Sequence, residues 1–112
     1  MAIVAVSISP VGSGVGVSSY VAAAVRVVRA QERIRYRLDP MFTTLEGDLG
    51  EIYALVQRMQ EAVFAAGAVR VGTVIKIDDR RDREVEMEEK VASVEDILKS
   101  SNGSDEPSSQ SP

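Results

Sequence analysis

Apolar residues in this chain recur with period two, then 3.6, then period two in two short runs, then 3.6, and finally two again. That succession limits the fold more than any single residue does, because each period belongs to one kind of backbone. Ala2, Val4, Val6 and Ile8 share one face of a first strand, with Ile3, Ala5, Ser7 and Ser9 on the other. Pro10 has no N–H for a ladder, so pairing is expected to end there. After the loop Gly12-Ser13-Gly14-Val15-Gly16, Ser18 or Ser19 can cap a helix with Val21, Ala24, Val25 and Val28 inward and Arg26 and Arg29 outward. Arg35–Leu38 and Met41–Glu46 read as a hairpin about Asp39-Pro40. In its second strand Phe42, Thr44 and Glu46 face opposite to Met41, Thr43 and Leu45. Asp48 followed by Glu51 starts a second helix, with Leu49, Ile52, Val56, Met59 and Val63 as its stripe and Gly67 as its stop. Val69–Asp78 alternates once more. Beyond a dense charged stretch, Met87, Val91, Val94 and Leu98 form a seam too thin for a core helix, which suits docking against another surface.

The order β-α-β-β-α-β, closed by two right-handed crossovers, predicts a ferredoxin-like α/β (α+β) fold. Its antiparallel four-stranded sheet carries both main helices on one face, with a C-terminal helix appended. The domain is expected over residues 1–99. Residues 100–112, rich in Ser and Pro without a large apolar side chain, are expected to form a disordered tail. The sheet face away from the helices would carry Ser7, Phe42, Thr44, Glu46, Val74 and Lys76, a mixture that must meet water, a ligand or another subunit.

Composition removes much chemistry. The 112 residues include no Cys and no His, which excludes thiol nucleophiles, Cys/His zinc sites and histidine acid–base catalysis. Thirteen Lys+Arg against seventeen Asp+Glu leave a net charge of -4, which repels phosphate backbones and argues against nucleic acid. Apolar runs are broken well before the roughly 18 residues that span a bilayer, and no basic segment precedes the first one, so neither a membrane span nor a signal peptide is expected. A cytoplasmic protein is the expectation.

Five segments carry a resemblance. They are Ser7-Ile8-Ser9-Pro10-Val11-Gly12 closing the first strand, Val17-Ser18-Ser19-Tyr20-Val21-Ala22 opening the first helix, and Thr44-Leu45-Glu46-Gly47-Asp48 before the second. Ile75-Lys76-Ile77-Asp78-Asp79-Arg80-Arg81-Asp82 closes the last strand, and Met87-Glu88-Glu89-Lys90-Val91 opens the final helix. Over residues 2–99 the chain resembles the small thiamine-binding protein family, whose members bind thiamine or its hydroxymethylpyrimidine moiety. The resemblance implies a ferredoxin-like fold, sheet pairing between subunits and a homotetramer. One departure is Phe42, where similar proteins often carry Gly beside the pocket; a ring there narrows the site or stacks on a ligand.

The expected ligand-binding residues are therefore Ser7 and Thr44 as hydrogen-bond partners of a pyrimidine, Glu46 as acceptor for its amino group, and Phe42 or Tyr20 as the stacking ring. Asp48 is a second candidate acceptor. Plainer readings stand beside these: Glu46 in a salt bridge with Lys76, Tyr20 as packing, Asp48 as an N-cap. The glycine loop is either an anion cradle or a flexible connection. Asp78-Asp79-Arg80-Arg81-Asp82 reads as a charged strand end with subunit-bridging ion pairs rather than a metal site, since neighbouring strand residues point apart. No cofactor, no metal and no catalytic residue is expected. An acylphosphatase-like enzyme would need an Arg in the 11–17 loop and an Asn to position water; the loop has neither. The expected function is a non-catalytic small-ligand binding protein within a homo-oligomer, the alternative a structural or regulatory homo-oligomer without a small-molecule ligand.

Overall fold

The computed structural model describes residues 1–104. Its elements run β1 (Ala2–Pro10), α1 (Ser18–Arg29), β2 (Arg35–Leu38), β3 (Thr43–Gly47), α2 (Leu49–Ala65), β4 (Val71–Asp79) and α3 (Met87–Ser104). The four strands form one antiparallel sheet in the order β2-β3-β1-β4, the ferredoxin-like arrangement that the periodicities predict. Among the described residues no helix is long and apolar enough to cross a membrane.

The core lies between the sheet and the two helices. Ala2, Val4, Val6 and Ile8 of β1 are buried against Ala24 and Val28 of α1 and Ile52, Leu55, Met59 and Val63 of α2. Fully burying side chains of this size contributes about 1.5–3 kcal/mol each. α2 is capped as its sequence suggests, with the Asp48 carboxylate accepting the Glu51 N–H at 3.0 Å. The reciprocal half of a capping box is missing, because the Glu51 side chain turns to Arg33 at 2.7 Å. α1 differs from expectation: Val17 occupies the N-cap, and neither serine caps it. Valine offers no side-chain acceptor, so this helix is held by its buried stripe.

Three strand boundaries also move. β1 continues to Pro10, which stands opposite Val71, and the Val11 N–H bonds Arg70 C=O at 2.8 Å. β3 begins at Thr43 rather than Met41, because the Asp39 N–H donates to Phe42 C=O at 3.0 Å and closes residues 39–42 into the hairpin loop. Val69 lies before β4, exposed, so the last strand starts two residues later than its alternation. Most of the expected tail, 100–112, lies outside the described residues; inside them α3 continues to Ser104.

Candidate functional site

Register decides which side chains share the sheet face away from α1 and α2. Ala5 of β1 stands between Thr44 of β3 and Lys76 of β4, and Ile3 stands between Glu46 and Asp78. On the outer strand Arg37 is opposite Thr44 and Arg35 is opposite Glu46. Two rows therefore cross this face, Arg37–Thr44–Ala5–Lys76 and Arg35–Glu46–Ile3–Asp78.

The start of α3 settles on the second row. Met87, the first residue of the helix, is buried, and its N–H donates to Glu46 Oε1 at 2.7 Å. Arg35 Nη1 donates to Glu46 Oε2 at 2.7 Å, and Arg35 Nη2 reaches Glu88 at 2.7 Å. Lys90 pairs with Asp78. The Arg35 guanidinium holds the Glu88 carboxyl below its ordinary range, Lys90 does the same for Asp78, and Glu88 and then Glu46 push Arg35 further up. Glu46 is only 4% exposed, with a donor on each oxygen. A buried carboxylate so matched is a satisfied anchor for the helix N-terminus. The salt bridge forms with Arg35 and not with Lys76, which the register places diagonally across β1.

The first row remains open and floors a cleft of about 450 Å³. Ile3, Ala5, Thr44 and Lys76 line it below, Arg37 at one edge, and Met87, Lys90 and Val91 of α3 along the other side. A second cleft, about 330 Å³, lies where β3 stops. β1 pairs with β3 only from Ala2 to Val6 but with β4 as far as Pro10. Residues Ser7, Ile8 and Ser9 therefore border a notch between the hairpin loop and α1, closed by Phe42, Val21, Val25 and Met59. The strand edge there has no β3 partner, so its backbone donors and acceptors face the notch. Asp39 joins the two clefts: it lines the notch, and its Oδ2 accepts from Thr44 Oγ1 and Arg37 Nε, each at 3.3 Å.

The five residues singled out in the sequence are thus divided. Ser7 and Phe42 line the notch and Thr44 the open-face cleft. Glu46 lies under α3 with both oxygens engaged. Tyr20 lines neither cleft; it packs against the core, with its hydroxyl 4.0 Å from where a Cβ at Gly67 would stand. Sequence reasoning missed Arg37, Asp39 and Met87. Arg37 was findable, since a hairpin with a four-residue loop sets it opposite Thr44, but the loop length was misjudged by two residues.

The remaining candidates take ordinary roles. Gly12 and Gly14 adopt positive φ, 82° and 87°, which turns the chain between β1 and α1. In the charged strand end Asp79 pairs with Arg81 and Asp82 with Arg80.

Comparison with known proteins adds a family and a set of relatives. The family described as Thiamine-binding protein matches residues 4–95. The UPF0045 protein YqgV of Bacillus subtilis is 43% identical over 98 residues, covering 84% of this chain and 94% of the relative. The UPF0045 protein MT1949 of Mycobacterium tuberculosis is 47% identical over 97 residues, covering 86% and 93%. The solved structure of the hypothetical protein MJ1052 from Methanocaldococcus jannaschii superposes with a TM-score of 0.77 at 34% identity, covering 84% of this chain and 95% of that one.

Proposed function

The chain belongs to the thiamine-binding protein family, and from that premise we propose that it is a non-catalytic cytoplasmic protein that binds thiamine or its hydroxymethylpyrimidine moiety. The observation that carries this reading is adjacency. The notch at Ser7 and the open-face cleft at Ala5 are two residues apart on one strand, about 7 Å, and Asp39 borders one while bonding the residues of the other.

A pyrimidine ring fits the notch by its chemistry. Phe42 offers a face for stacking, Val21, Val25 and Met59 an apolar floor, and Ser7, Ser9 and the free strand edge supply directional hydrogen bonds. The Asp39 carboxylate takes the part of acceptor for the exocyclic amine, the role first expected of Glu46. Glu46 holds α3 against the cleft instead, and Tyr20 serves packing. Calorimetric titration with thiamine and with hydroxymethylpyrimidine is expected to give saturable binding, weakened about 10-fold or more by Asp39→Ala, the scale of a hydrogen bond to a charged group. No heat at millimolar ligand would end this reading.

The same proposal places the chain in a homo-oligomer, a tetramer of two dimers as the family resemblance implies. β4 is a nine-residue strand at the sheet edge with Val74 and Ile75 exposed, and α3 exposes Val91, Val94, Ile97 and Leu98. Both are surfaces that a second copy would cover. If the oligomer forms and no ligand binds, the structural or regulatory reading takes over.

A further inference from the structure

We infer that the open-face cleft is an anion subsite, and that the ligand it selects is a phosphate monoester of the pyrimidine rather than the thiazolium-bearing cation. The inference rests on the binding reading above and goes beyond it by naming the charge of the ligand.

The observation is an unmatched cation. The chain is acidic overall, at -4. Yet the residues lining this cleft include Arg37, Lys76 and Lys90 against one carboxylate, Asp78. Lys90 already holds Asp78, which lies two residues beyond Lys76 on the same strand face. Among the described residues Lys76 itself has no ion-pair partner, although it contributes to holding the Asp78 carboxyl below its ordinary range. Among the described residues Arg37 donates only through Nε, to Asp39 at 3.3 Å, which leaves its other donors free there for a ligand. The polar cleft at the far end of the sheet makes the contrast: Arg80 there is matched by Asp82 and Arg81 by Asp79.

Thr44 completes the donor set, since its hydroxyl can turn from Asp39 to a ligand oxygen. An ammonium, a guanidinium and a hydroxyl around an apolar floor suit a tetrahedral oxyanion, and a phosphate monoester brings about -1.5 to -2 charges to them at neutral pH. A thiazolium placed there would face the unpaired ammonium of Lys76. The notch at Ser7 and the cleft at Ala5 are two residues apart on β1, so a ligand with its ring in the first can extend its ester towards the second.

The test titrates the full chain and its Lys76→Met variant with hydroxymethylpyrimidine, hydroxymethylpyrimidine phosphate, thiamine, thiamine monophosphate and inorganic phosphate. Lys76 is exposed, so the variant is expected to fold; circular dichroism checks it, and Lys76→Gln repeats the measurement with a neutral polar side chain. The phosphorylated pyrimidine is expected to bind at least roughly tenfold tighter than its alcohol at low salt, and tighter than thiamine. Both gaps should shrink in Lys76→Met and at high ionic strength, with affinity for the alcohol unchanged. Equal affinities for ester and alcohol, or a gap that survives Lys76→Met, would overturn the inference and leave the binding reading standing. Lysine-dependent binding of esters and inorganic phosphate alike, with no affinity for the alcohol or thiamine, would uphold the anion subsite and end the pyrimidine reading. Silence from all five compounds would end both.

Discussion

Forty-one residues separate Glu46 from the Met87 amide that it accepts. Replacing it with Ala would leave that N–H and the Arg35 fork without their buried acceptor. Glu46→Ala is therefore expected to lower stability by about 1.5–3 kcal/mol, the cost of losing bonds to a buried charge. Urea unfolding checks it, through a lower midpoint. Glu46→Gln should lose less, because an amide oxygen can still accept from Met87. At this scale strand alternation was enough to place Thr44 and Glu46 on the same face and Leu45 on the other, and the structure agrees. Nothing local to Thr44-Leu45-Glu46 signals that a helix begun forty-one residues later will cover the glutamate and leave the threonine open. Tyr20 illustrates the same limit, since the direction of an aromatic ring in the first turn depends on what α2 places beside it.

Helices and strands were legible where a pattern spans several turns. α2 follows its stripe, with Leu55 added to the buried set. Asp48→Ala should cost about 1 kcal/mol by removing the cap on the Glu51 N–H, read again as a shifted unfolding midpoint. The ends of β3 and β4 were less legible, because the turn bond from Asp39 to Phe42 and the loop before Val71 are backbone events with no periodicity. The seam of α3, which suits docking against another surface, is divided: Met87 docks on its own sheet, and Val91, Val94 and Leu98 stay exposed. That docking is sensitive to acid. Asp78 and Glu88 are held below their ordinary values by Lys90 and Arg35, so these contacts contribute fully at neutral pH. They are lost as the pH falls through the ordinary carboxylate range and on through the lowered values. Amide protection in α3 is expected to drop on acidification while protection in α2 persists, measured by hydrogen exchange.

Over the whole molecule, one sheet face is filled by α1 and α2 and the other is only partly covered by the first turn of α3. The unpaired edge of β4 and the exposed Val91, Val94, Ile97 and Leu98 are the surfaces from which assembly is expected. Sedimentation equilibrium at micromolar concentration should give a mass several times the 12.1 kDa of one chain. A chain ending at Asp82 should assemble less completely; unchanged assembly would remove α3 from the interface and leave β4.

Because the first turn of α3 borders the cleft, a ligand there and the docked helix belong to one equilibrium. A compound at one hundred times its dissociation constant that binds only the docked form shifts that equilibrium by about 2.7 kcal/mol. The exposed stripe from Val91 to Leu98 then changes its orientation relative to the sheet less often as the cleft fills. If a ligand fills the cleft, its occupancy is expected to be readable from outside without any chemistry on it, as a longer lifetime of the surface that docked α3 presents.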